Sequence, residues 1–229
     1  MMRALIILFL AFCFTNCNSQ IQKSKKMQLT DKEIKERGYQ IKKDDTIFMK
    51  DGKLDITKLK EIGISSGSSE PAYYQYEGYL NDTYVYISGN TKNGFGKNIK
   101  FKKDDSFRYG FSYFPSGELK GYGIEYSNFF KKGIWYDYDI KGAIEKYENY
   151  DAPYEFSWED VKQFLKEQDI KGNQIQNIFR GELNGVHGWE IIYKPEEFLK
   201  TDNVKVLTLD PKTGKIVKTE IRDVSRQLD

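Results

Sequence analysis

Fourteen of the chain's 17 tyrosines fall between Tyr73 and Tyr150, and their spacing constrains the fold more than any other feature. They sit in short runs where aromatic and β-branched residues alternate with polar or small ones. Examples are Thr83-Tyr84-Val85-Tyr86-Ile87, Gly121-Tyr122-Gly123-Ile124-Glu125-Tyr126 and Gly133-Ile134-Trp135-Tyr136-Asp137-Tyr138. A period of two sends successive side chains to opposite faces of a sheet, and Tyr, Val, Ile and Phe suit a pleated, half-buried surface. Gly, Asn and Asp interrupt the runs where tight turns need them. Antiparallel strands with one solvated face are therefore predicted over residues 71–152.

The same stretch is self-similar. YFPSGELK from Tyr113 aligns with YDIKGAIE from Tyr138, a shift of 25 residues, and FKKDDSFR from Phe101 repeats the shape more loosely. The shared frame is a strand end, a turn residue that takes positive φ, and the next strand. A lone hairpin cannot bury its own apolar face, which is why such units come in series. The block 113–151 resembles the MORN-type repeats of bacterial envelope and antitoxin-like proteins: Gly117, Gly133, Trp135, Tyr136 and Gly142 stand where that pattern has its glycines and aromatics. The resemblance implies an elongated antiparallel sheet used as an interaction surface, and it supplies no catalytic residues. Tyrosine gives large, rigid, amphipathic contact area. Tyr109, Tyr113, Tyr122, Tyr126, Trp135, Tyr136 and Tyr138 form the candidate binding surface.

Residues 153–229 read differently. Ser157 is a good N-cap with Asp160 three positions on, and Trp158, Val161, Phe164 and Leu165 follow helical spacing up to a stop at Lys171-Gly172. Four strands are predicted after it, over 175–179, 188–193, 204–209 and 215–221, with Asp210-Pro211-Lys212-Thr213-Gly214 as a turn. A helix followed by strands ending in a D-x-x-T-G-K hairpin is similar to a PepSY-type module. The expected fold is mainly β: a repeat-hairpin antiparallel sheet followed by a small α+β module.

The front of the chain reads as an address. Arg3 gives a short positive region and residues 4–14 an apolar stretch of signal-peptide length, too short to span a bilayer comfortably. Phe14-Thr15-Asn16-Cys17 resembles a bacterial lipobox, which implies cleavage after residue 16, lipid attachment at Cys17 and an envelope location facing the periplasm, with secretion or the cell surface as the alternative. Residues 17–28 then form a tether. In 29–70, Thr30 and Glu33 form a capping box for a short helix stopped by Gly38. Short strands are expected over 41–49 and 53–56 around an Asp51-Gly52 turn, and 62–70 reads as a Gly/Ser-rich linker.

Composition narrows the chemistry. With 36 Lys plus Arg against 34 Asp plus Glu, the formal charge is +2, which argues against a dedicated nucleic-acid binder. One His and two Cys leave no disulfide scaffold and few metal-ligand sets. His187 lies in an expected turn without a local nucleophile. Asp44-Asp45 and Asp104-Asp105 read as solvated loops. Asp137 and Asp139 share a strand face, and Gly94-Phe95-Gly96-Lys97 reads as a β-turn without phosphate-loop spacing. No catalytic residue, metal or cofactor is expected. The leading expectation is a lipid-anchored, non-enzymatic protein-binding or scaffolding module. The alternatives are a periplasmic immunity or inhibitor protein against a toxin or protease, and a carbohydrate-active hydrolase with an unrecognised carboxylate pair.

Overall fold

The computed structural model describes residues 29–67, 71–101, 107–126, 130–183 and 186–225; the stretch read as a signal peptide, Cys17, the residues read as a tether, and Asp104-Asp105, read as a solvated loop, lie outside them. The chain is mostly antiparallel β. After helix α1 (Asp31–Asp44) come a two-strand hairpin, β1 (Met49–Lys50) with β2 (Lys53–Leu54), helix α2 (Ile56–Ile62) and strand β3 (Ile64–Ser66). A seven-strand meander follows: β4 (Tyr73–Leu80), β5 (Thr83–Asn90), β6 (Gly94–Phe101), β7 (Phe107–Tyr113), β8 (Leu119–Tyr126), β9 (Phe130–Tyr138) and β10 (Ile144–Asn149). With β3 at its edge it makes an eight-stranded sheet in sequence order. Helix α3 (Trp158–Glu167) leads to a second, four-stranded antiparallel sheet of β11 (Ile175–Leu183), β12 (Val186–Tyr193), β13 (Asn203–Leu209) and β14 (Ile216–Asp223).

The two self-similar turns close alike. Phe114 and Gly117 N–H bond Glu118 O and Phe114 O, and Asp139 and Gly142 N–H bond Ala143 O and Asp139 O, all at 2.9 Å. Gly117 and Gly142 take φ of +93° and +81°, as such a turn requires.

Strand alternation gives the large sheet an apolar inner face. In register across it run Tyr76, Ile87, Lys97, Phe111, Tyr122, Tyr136 and Tyr147. The segment from α1 through α2 packs over this face, with Ile34, Phe48, Leu54 and Leu59 joining Val85, Ile87, Phe95, Ile99, Phe111 and Tyr113 in one core. The predicted capping box forms: Glu33 N–H donates to Thr30 Oγ1 at 3.3 Å and Thr30 N–H to Glu33 Oε2 at 2.7 Å. Gly38, however, does not stop the helix. It is buried mid-helix, where an added Cβ would lie 2.7 Å from the Tyr136 ring, and its carbonyl accepts the Tyr138 hydroxyl at 2.8 Å. The glycine serves close approach of helix to sheet, so residues 41–44, read as strand, continue the helix. The linker reading also changes, because residues 64–66 pair with β4.

Lys97 is wholly buried in this core. Its ammonium bonds Asp45 Oδ1, donates to Ile47 O at 2.7 Å and lies 4.8 Å from the Phe111 ring centre; Tyr113 hydroxyl donates to Asp45 Oδ2 at 2.5 Å. Gly94-Phe95-Gly96-Lys97 is thus strand, not turn; the turn lies just before it, where Asn90 Oδ1 accepts Lys92 and Asn93 N–H.

The second core joins the two sheets. Trp158, Val161 and Leu165 of α3 pack on Ile178, Trp189, Ile191, Leu207 and Leu209, together with Phe107 and Phe130 of the large sheet. Ser157 and Asp160 form the predicted capping box, but α3 ends at Glu167, ahead of Lys171-Gly172, where Asp169 takes φ +52°. Arg180 clips the sheets together: its guanidinium lies 4.6 Å from the Tyr154 ring, 5.1 Å from Phe130 and 5.3 Å from Trp189, and bonds Asp151 Oδ1 at 2.7 Å.

Removing one partner of a buried ion pair strands the other in low dielectric, at about 3–5 kcal/mol. Lys97→Met is expected to cost that much in urea denaturation, and adding Asp45→Asn to recover part of it. A single variant within about 1 kcal/mol of the parent would contradict the arrangement.

Candidate functional site

The structure divides the seven candidate residues unevenly between the two faces of the large sheet. Tyr113, Tyr122, Tyr136 and Tyr138 are buried in the core beneath α1 and the β1–β2 hairpin, and Tyr109 packs at its margin. Tyr136 donates to Ile34 O at 3.0 Å, as Tyr138 does to Gly38 O. Tyr126 belongs to the second core, 5.0 Å from the Trp158 ring. Only Trp135 stands on the outer face. The expectation that these tyrosines form one exposed surface is therefore corrected: the segment from α1 through α2 covers most of them.

The outer face is built from the opposite residues of the same strands. Two registers cross its middle: Glu77, Tyr86, Asn98, Gly110 and Gly123, then Gln75, Ser88, Gly96, Ser112, Gly121 and Asp137. The floor is small and polar. Above Gly96 there is no heavy atom within 4 Å of where a Cβ would stand, and Ser112 is exposed. Aromatic residues edge this floor. Tyr84 and Tyr86 rise from β5, and Tyr79, 69% exposed, meets Tyr84 edge-on at 5.5 Å. On the other side the Trp135 indole lies directly across Gly123, where a Cβ would sit 2.0 Å from the ring, and its Nε1 donates to Ile124 O at 3.1 Å. Lys131 sits between Trp135 and Tyr150, 4.2 and 4.6 Å from their ring centres.

Tyr79, Tyr84 and Tyr86 were absent from the candidate set, yet the sequence held the signal for them. Within β5 Tyr84 and Tyr86 alternate with Val85 and Ile87, which mark the buried parity, and within β4 Tyr79 shares parity with Glu77.

The remaining candidates resolve as follows. Asp45 is not a solvated loop residue, since it holds Lys97. Asp139 lies past the end of β9 and accepts Ala143 N–H at 2.8 Å, while Asp137 is exposed on the outer face. His187 lies within β12, opposite Glu182. Among the described residues the other buried carboxylate is Glu190, which accepts from both terminal nitrogens of Arg222 at 3.1 and 3.0 Å. Among the described residues, no three His, Cys, Asp or Glu gather as a metal site, and no helix is long and apolar enough to cross a membrane. No family model, curated protein or solved structure matches the chain.

Burial pushes the hydroxyls of Tyr113, Tyr122, Tyr126, Tyr136 and Tyr138 above their ordinary value of 10. Tyr84 is pushed up to about 12, mainly by donating to Glu77 Oε1 at 2.7 Å. Burial pulls Lys97 down, against the opposing pull of the Asp45 carboxylate. The signs follow from linkage. Above pH 10 an unfolded tyrosine ionises while its folded counterpart keeps its proton, so each buried tyrosine lowers stability as pH rises. Lys97 acts oppositely below its ordinary 10.5, because there the unfolded chain binds the extra proton. Five tyrosines outweigh one lysine. The melting temperature is expected to fall from about pH 10 upward, with tyrosinate absorbance rising together with unfolding. Full tyrosine ionisation in a still-folded protein would contradict the burial.

Proposed function

We propose that this protein is a lipid-anchored, non-enzymatic binding module of the bacterial cell envelope, which holds a protein partner on the outer face of its eight-stranded sheet. One observation carries the reading: that face is broad, polar-floored and aromatic-edged, and it lies opposite the side covered by the protein's own N-terminal segment. Tyr86 and Trp135 stand four strands apart, from β5 to β9, or about 19 Å at the usual strand spacing. That width is too open to enclose a small molecule. It accommodates a helix about 10–12 Å across, or a loop, laid over the glycines. Aromatic side chains at both margins supply the kind of contact that dominates protein interfaces. An immunity or inhibitor role is one form of this binding, with a toxin or protease as the partner.

The anchor rests on the lipobox resemblance at Cys17. Acyl chains contribute about 0.8 kcal/mol per buried methylene, so several together hold a protein at a membrane without a spanning helix.

Two outcomes are expected. Cross-linked pull-down from envelope extract should recover a stoichiometric partner with the parent protein and about tenfold less with Ser112→Arg, at an unchanged melting temperature. Equal recovery by both, or no enriched partner, would contradict the outer-face reading. Cys17→Ala should move the protein from the membrane to the soluble fraction, and unchanged fractionation would contradict the anchor.

A further inference from the structure

The free edge of the second sheet carries a pattern that the binding reading does not use. Strand β14, IVKTEIRD, pairs with β13 from Leu209–Ile216 to Asn203–Asp223, and among the described residues no strand pairs with its other side. It is eight residues long without Pro or Gly, and its one irregularity lies at the start, near Leu209. Ile216, Val217 and Ile221 are 45%, 53% and 63% exposed. Proteins usually blunt such an edge with a proline, a short strand, a bulge or charged side chains, because its unpaired backbone groups template further pairing. Here the charges alternate in sign, so they repel a foreign strand of like charge but not a copy in the complementary register.

The side chains favour one partner. From Lys218 to Arg222 the charges on one face alternate: Lys218, Glu220, Arg222. On the other face Val217, Thr219 and Ile221 are uncharged. In an antiparallel pair, directly opposed residues are either both hydrogen-bonded to each other or both not. Two identical strands related by a twofold must therefore oppose residues of equal parity, and the axis falls on a residue. If it falls on Lys218 or Glu220, like charges face each other, which is destabilising. If it falls on Ile221, much of the strand is left unpaired. If it falls on Thr219, Lys218 faces Glu220 of the second copy twice and Val217 faces Ile221 twice, with overlap along nearly the whole strand.

We propose that two copies of this chain associate through β14 in that register, joining their four-stranded sheets into one continuous antiparallel sheet. The association is isologous and closed, so it gives a dimer rather than a fibre. It leaves the outer face of the large sheet untouched, so it stands or fails separately from the partner-binding reading. One strand from each copy makes a small interface. The dimer is therefore expected to dissociate on dilution.

The test is a charge swap on the full-length protein purified in detergent. Sedimentation over about 1–200 µM should show a concentration-dependent dimer for the parent protein. Lys218→Glu sets Glu against Glu, and Glu220→Lys sets Lys against Lys, so each variant alone should weaken association about tenfold or more. Mixed together, the two variants oppose Glu to Lys at both contacts and should dimerise as well as the parent. Glu220 also pairs with Lys218 and Arg222 of its own chain, so each single variant loses an internal pair as well, and recovery in the mixture is the readout that isolates the contact between copies. Thr219→Cys should form an inter-chain disulfide under mild oxidation and Val217→Cys should not, because only residue 219 meets its own copy. A parent protein monomeric throughout the range would overturn the proposal. So would single variants that dimerise like the parent, a mixture no stronger than its components, or cross-linking at 217 in place of 219.

Discussion

Lys97 stands near the centre of an eight-stranded sheet, on the face that otherwise presents Ile87, Phe111 and Tyr122. An ammonium there is tolerated only because Asp45 and the Ile47 carbonyl reach it from the segment laid over the sheet, with Phe111 and Tyr113 rings beside it. Tyr113 completes the arrangement by donating to the second carboxylate oxygen of Asp45. No buried side-chain polar atom among the described residues lacks a partner. Such a group is costly when mispaired. It therefore selects one placement of the covering segment among the many that apolar contact alone would allow, and the hydroxyls of Tyr136 and Tyr138, which donate to α1 carbonyls, fix the same placement. The meander presents the surface; these few polar contacts decide how the front of the chain lies on it.

Much of this architecture was legible in the sequence, and the exceptions share a cause. Local signals were sufficient wherever the determining partner is a few residues away. The Thr30 and Ser157 capping boxes, the Asp51-Gly52 hairpin, the paired turns at Gly117 and Gly142, and the alternating strands all formed where their residues stand. What failed was set at long range. Gly38 reads as a stop until Tyr136, a hundred residues on, needs the space a Cβ would fill. Lys97 reads as a turn residue until Asp45 meets it. The period-two pattern separates two faces but does not say which one the chain covers. The tyrosines chosen as a surface proved to be the buried set, and Tyr79, Tyr84 and Tyr86, of the other parity, proved to be outside.

The division between faces also shapes the functional account. The inner face is already occupied by the protein's own helices, and its tyrosines serve packing and carbonyl recognition. The outer face keeps the glycines and serines that leave its centre flat, with Tyr84, Tyr86 and Trp135 at its margins. The second sheet is braced to the first by Arg180 and the Phe107, Phe130, Trp158 and Trp189 cluster, and it turns a free edge away. The proposed partner capture on the large sheet and the proposed self-association through β14 thus call on separate surfaces, while the segment that resembles a lipobox sits at the opposite end of the sequence from β14.

All of this depends on the segment from α1 to α2 being part of the folded body. Native-state hydrogen exchange measures that directly. The amides of Asp31–Asp44 should exchange with the same free energy of opening as those of Gly94–Phe101 and Leu119–Tyr126, since they share one core. Helix amides that exchange far faster than the strands beneath them would mean a loosely docked strap, with Tyr113, Tyr122, Tyr136 and Tyr138 open to a partner after all.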